Sequence, residues 1–124
     1  MRWVWLFLGG GLGAALRFAM ALWVDGRLPS AFPWGTLAVN GLGCLGIGIL
    51  ATLADEAELI SPAGRLFLVS GLLGGFTTFS TFGMETWQLI EARSLGLAIG
   101  YAFFSVVLGM LGVVAGVVAT RSVL

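Results

Sequence analysis

Ser70-Gly71-Leu72-Leu73-Gly74-Gly75-Phe76-Thr77-Thr78-Phe79-Ser80-Thr81-Phe82-Gly83 is the stretch that decides how this chain folds. Nine of its fourteen residues are Gly, Ser or Thr, and the other five are Leu or Phe. It lies inside an apolar segment from about Leu66 to Ile90, where a membrane-crossing helix is expected. Its glycines and hydroxyl residues together disfavour an uninterrupted helix by roughly 5–6 kcal/mol on propensity. Broken backbone at membrane depth is tolerated only where protein or a water-filled cavity covers it. Short hydroxyl side chains can bond the freed N–H and C=O groups, as they do at helix caps. The stretch therefore predicts two half-helices meeting near the bilayer midplane, an arrangement that commonly holds ions.

Phe76, Phe79 and Phe82 recur every third residue, so one helix face is expected to carry all three. Packing or lipid contact is the ordinary use of such a stripe. Here Thr77, Thr78, Ser80 and Thr81 alternate with it. An aromatic ring is negative on its face and positive at its edge, so ring edges beside hydroxyl donors can meet an anion without a formal charge.

The 124-residue chain is 59% apolar and only 10% charged, with a net charge of zero, which excludes an ordinary soluble domain. Composition points to one small membrane domain over 1–124. No basic run invites nucleic acid. The absence of His and the single Cys44 remove imidazole chemistry, internal disulfides and multi-cysteine metal sites, and the inventory argues against an enzyme.

Four spans follow: Trp3 to about Trp23, Trp34 to about Leu53, Leu66 to Ile90 with its break, and Leu95 to about Thr120. Arg17 is the only charge within the first span, and it either snorkels to the surface or sits in the protein interior. It also argues against reading that span as a signal peptide. Gly9 and Gly13 form a small-xxx-small pair that admits another helix closely. Polar loops are expected over Asp25–Pro33 and Ala54–Gly64. Thr36, Asn40, Cys44 and Gly48 form one stripe on the second span, and Asn40 is either interhelical glue or an amide donor on a pore wall. Tyr101, Ser105, Gly109 and Gly112 align on the fourth span as a packing seam or further donors. Glu85 lies towards the far end of the third span, at the membrane surface or in a vestibule.

Four spans place both termini on one side, with Arg2, Arg65 and Arg121. Arg27 and Arg93 belong to the other side, and Arg17 leans towards it. This near balance specifies orientation weakly and permits an antiparallel, dual-topology homodimer.

Three stretches carry a family resemblance: Gly9-Gly10-Gly11-Leu12-Gly13-Ala14-Ala15-Leu16-Arg17-Phe18, Gly35-Thr36-Leu37-Ala38-Val39-Asn40, and Gly74 through Phe82. On these the chain resembles the fluoride channels known as Fluc or CrcB. The resemblance implies an all-α, dual-topology dimer in the cell membrane that exports fluoride passively and holds a structural sodium ion. It further implies that Phe79 and Phe82 face fluoride and that Asn40 is a pore amide. Tyr101, Ser105, Thr36 and Thr81 would continue a polar track, with Glu85 near one mouth and the backbone carbonyls of Gly74 and Thr77 as sodium ligands. Where many relatives carry a second Ser, this chain has Gly109, which leaves one donor to be replaced by water or a neighbouring group. Two competing readings remain. An accessory subunit explains the glycines but not the coincident Thr, Ser, Asn and Phe stripes. A small multidrug-type exporter needs a carboxylate in its first span, where this chain has Arg17.

Overall fold

A computed structural model describes the whole chain, Met1–Leu124, which is helical with no strand. Helix α1 spans Arg2–Arg27 and α2 Trp34–Asp55. Helix α3 covers residues 62–76: an α-helical turn over Pro62–Arg65, π-helical winding over Leu66–Leu73, and a last turn over Gly74–Phe76. Helix α4 spans Ser80–Glu91 and α5 Leu95–Val123. With α3 and α4 counted as one interrupted segment, four stretches are long and apolar enough to cross a membrane. The chain is a multi-pass membrane protein.

The helices outrun the spans expected from hydropathy because their ends are set by caps and breakers. Helix α1 continues to Arg27, taking Asp25 out of the expected loop, and stops just before Pro29. Helix α3 starts at Pro62, four residues before the apolar run. Ser61 caps it, accepting the Gly64 N–H at 3.0 Å, and Pro62 fills a first-turn position that has no N–H to waste. Helix α5 carries Arg121 in its last turn, where a cation suits the helix dipole.

The interruption is at Thr77–Phe79, after the glycines rather than in them. Thr77 turns extended, with ψ 156°. Gly74 and Gly75 are helical, and no glycine in the chain takes a positive φ. These glycines serve close packing instead. A Cβ on Gly75 would lie 2.3 Å from the Gly10 carbonyl oxygen, and one on Gly9 would lie 2.2 Å from that of Phe67. Helices α1 and α3 thus touch backbone to backbone. The same device joins α2 to α5, where a Cβ on Gly48 would lie 2.4 Å from the Val113 carbonyl oxygen.

The expected three-Phe face does not form. Phe76 ends α3, whereas Phe79 immediately precedes α4 and Phe82 lies within it, so the break parts the first ring from the other two. At the outer ends, Arg65 pairs with Asp55 and Arg121 with Glu56, tying neighbouring helices together at the surface. The hydrogen bond from Arg121 holds the Glu56 carboxyl below its ordinary pKa.

Candidate functional site

The break is held by one side chain. Asn40 Nδ2 donates to the Thr78 carbonyl at 2.8 Å, and the Thr78 N–H donates back to Asn40 Oδ1, also at 2.8 Å. This two-point grip satisfies both backbone groups of a buried residue at membrane depth. The two sequence readings of Asn40 merge here: it is interhelical glue, and it also lines a cavity, with one amide hydrogen beyond the grip. The Thr78 hydroxyl in turn accepts the Thr81 N–H at 3.2 Å and caps the restart of α4.

These bonds have a consequence for two carbonyls. The α-helical partner of the Gly74 carbonyl is the Thr78 N–H, which goes to Asn40 instead. The partner of the Thr77 carbonyl is the Thr81 N–H, which goes to Thr78 Oγ1. The Thr77 N–H and hydroxyl both turn back to the Leu73 carbonyl, at 3.0 Å each. Gly74 and Thr77 are left with unclaimed neutral oxygens of partial negative charge. Gly74 is exposed on the surface of the single chain. Such a donor set suits a hard monovalent cation. No cluster of three His, Cys, Asp or Glu side chains exists to hold a transition metal.

A cavity of about 420 Å³ opens beside the break, lined by Asn40, Cys44, Gly74, Thr77, Thr78, Phe79, Phe82 and Ser105 among others. No charged side chain reaches it. The Phe79 and Phe82 rings are 5.6 Å apart and tilted at 45°. Phe82 continues to Tyr101 at 5.1 Å, and Tyr101 to Phe32 at 5.4 Å, so an aromatic ladder climbs from the break to the α1–α2 loop. Phe79 is 84% exposed, a large ring uncovered at the level of the break. The hydroxyl oxygens of Ser105 and Tyr101 are buried and have no hydrogen-bond partner.

The other expected site residues separate from this group. Thr36, Thr81 and Arg17 line a second cavity of about 240 Å³ against α1, with Thr78 common to both walls. Arg17 is half-buried there and makes no ion pair, so it borders the protein interior instead of lying wholly in lipid. Glu85 accepts the Thr36 hydroxyl at 2.5 Å and lines a third cavity of about 430 Å³ towards the α1–α2 loop, with Asp25 and Gln88. Tyr101 is fully buried and lines none of the three. The expected continuous polar track is thus divided among neighbouring cavities in the single chain, because Thr36 and Thr81 face α1 while Asn40 and Ser105 face the break.

Two residues of consequence were not singled out by the sequence. Thr78 is the hub of the break, and its spacing of three before Thr81 is that of a helix cap. Asp25 Oδ1 accepts the Gly35 N–H at 2.8 Å and caps α2 from the end of α1, a tertiary contact with no local signal.

The family described as "CrcB-like protein, Camphor Resistance (CrcB)" matches residues 4–117. A protein of Chloroflexus aurantiacus named "Fluoride-specific ion channel FluC" is 50% identical over 110 residues, which are 89% of this chain and 87% of that one. Proteins of the same name from Thermus thermophilus and Acidobacterium capsulatum are 47% and 42% identical. Their alignments cover 89% and 95% of this chain, and 86% and 94% of those proteins.

Proposed function

Because the chain belongs to the CrcB family, we propose that it forms a passive, fluoride-selective channel, built by two antiparallel copies and carrying fluoride out of the cell. The observation that carries this reading is the 420 Å³ cavity at the Asn40-held break. The Phe79–Phe82 ring pair, a free amide hydrogen of Asn40 and the partnerless Ser105 hydroxyl all belong to its wall. Positive ring edges and neutral donors attract a small anion, and with no fixed cation in the wall they do not hold it too tightly to leave. Fluoride, the smallest and hardest halide, gains most from short hydrogen bonds of this kind. The absence of a charged side chain in this wall favours passive movement, since no carboxylate, amine or imidazole lines it to carry protons.

Pairing of two copies is supported by what one chain leaves bare: the Phe79 ring, the surface of Gly74 and the near-even distribution of Arg across the membrane. The freed carbonyls of Gly74 and Thr77 would then be completed by the same pair from the second copy. On a two-fold axis one shared ion results. We assign sodium to it; when bound, it would offset the partial negative charge of the Gly74 and Thr77 carbonyl oxygens.

The test is efflux from proteoliposomes holding the purified protein, read with a fluoride electrode and, in parallel, a chloride electrode. Fluoride efflux without chloride efflux is expected, and equal rates for both ions overturn the reading. Replacing sodium with a bulky organic cation on both sides should lower fluoride efflux and loosen the dimer on gel filtration. Unchanged behaviour of both removes the sodium assignment.

A further inference from the structure

The fluoride reading leaves Cys44 without a task, although its position is specific. Cys44 follows Asn40 by one turn of α2 and lines the same cavity. Across from it on α5, Gly109 follows Ser105 by one turn. A Cβ built on Gly109 would lie 3.3 Å from Cys44 Sγ, so the thiol borders the space that a side chain at 109 would use. The cavity wall therefore has two successive levels. The first holds the Asn40 amide and the Ser105 hydroxyl, whose oxygen exposes less than 1 Å² and has no partner. The second holds the Cys44 thiol, which shares the wall with Ile47, Val69 and Val106 and has Gly109 beside it on α5. The partnerless Ser105 hydroxyl marks this wall as one that expects a ligand, independently of the cysteine.

We propose that the Cys44 thiol is a donor on the conduction route, filling the level left bare by Gly109 and setting how readily an anion passes it. The inference rests on the fluoride reading above. A thiol is a weak donor on a polarizable atom, yet it puts a polar group on a stretch of wall it shares with Ile47, Val69 and Val106. An anion leaving the Asn40–Ser105 level meets it next.

The experiment is fluoride efflux from proteoliposomes of the parent and of variants, each checked for a single symmetric gel-filtration peak. Cys44→Ala and Cys44→Val should slow efflux about fivefold, the worth of one neutral hydrogen bond. Cys44→Ser should match or exceed the parent. Cys44→Ala with Gly109→Ser should recover most of the loss, because the vacated thiol space accepts a hydroxyl from the opposite helix. Cys44→Ala with Gly109→Ala restores volume without a donor and should not recover. If Cys44→Ala fails to fold, the Ser and Val variants, closest to Cys in size, carry the comparison. A conducting parent whose Val variant runs at the parent rate overturns this inference alone. So does recovery by Gly109→Ala equal to that by Gly109→Ser. A parent that passes no fluoride overturns the underlying reading, and this inference with it.

Discussion

Asn40→Leu removes the grip on the break while keeping a side chain of similar size. The parent amide makes two bonds of 2.8 Å to the N–H and C=O of Thr78, a residue 8% exposed. Loss of the amide orphans both groups at once, and each orphaned buried group costs roughly 1–3 kcal/mol. Interhelical bonds in membranes fall towards the low end, because the unfolded chain in lipid also finds partners. The expected destabilisation is therefore about 2–4 kcal/mol. Thermal unfolding in detergent reads the total, and amide hydrogen exchange reads the cause. The Thr78 amide should exchange much faster in the variant, while amides in the middle of α5 keep their protection. Asn40→Asp keeps an acceptor for the Thr78 N–H but loses the donor and places a negative charge on the cavity wall, so its fluoride efflux should fall severely. A Leu variant that melts with the parent and leaves Thr78 exchange unchanged would refute the claim that Asn40 holds the break.

Three further outcomes are expected. Gly75→Ala and Gly9→Ala force a Cβ to within 2.3 Å and 2.2 Å of α1 and α3 carbonyl oxygens and should each cost about 1–3 kcal/mol in melting experiments. Gly11→Ala meets nothing within 4 Å and should be neutral, so equal losses at all three positions would deny the close α1–α3 contact. Phe82→Ile removes the ring between Phe79 and Tyr101, and fluoride efflux should fall about tenfold while the protein still purifies as one species; parent-like flux would sink the aromatic assignment. The lowered Glu56 pKa means that stability from its pair with Arg121 is present above the ordinary carboxylate pKa and is lost as pH falls through the lowered one. Glu56→Gln should flatten that part of the acid melting curve, and an unchanged curve would discount the pair.

The interruption of the third span was legible because four glycines and five hydroxyl residues crowd fourteen positions. Its place was not, because propensity counts a glycine as a breaker while packing can reward it. Gly75 stays helical since α1 lies against it at a distance no side chain allows. No glycine backbone is strained at the break, and ordinary residues make the turn: the N–H and C=O of Thr78 find partners off the helix in the Asn40 side chain, while the Thr77 hydroxyl turns back to the Leu73 carbonyl. The stripe through Asn40 was visible as polar residues on an apolar helix. Its partner lies 38 residues away, a separation that periodicity cannot read. The same limit hid the Asp25 cap on Gly35 and the hydrogen bond from the Thr36 hydroxyl to Glu85 on α4.

The geometry of the break joins the proposed cation to the proposed anion. Gly74 and Thr77 line the same cavity as Phe79, Phe82 and Ser105, and their carbonyls have lost their helical partners to the bonds that shape the turn. Left bare, two oxygens of partial negative charge in a low-dielectric wall repel the anion that the ring edges and hydroxyls attract. Adding a fixed Lys or Arg would cancel that repulsion but would also bind the anion tightly, which conduction does not tolerate. The proposed monovalent ion, held by these oxygens, would offset their partial charge without adding a fixed side-chain cation to the wall. The proposed cation would then favour fluoride entry as well as the pairing of the two copies. Sodium replacement should therefore lower conduction even where the two copies are covalently joined. Undiminished flux from such a joined dimer would leave the ion with a purely structural part.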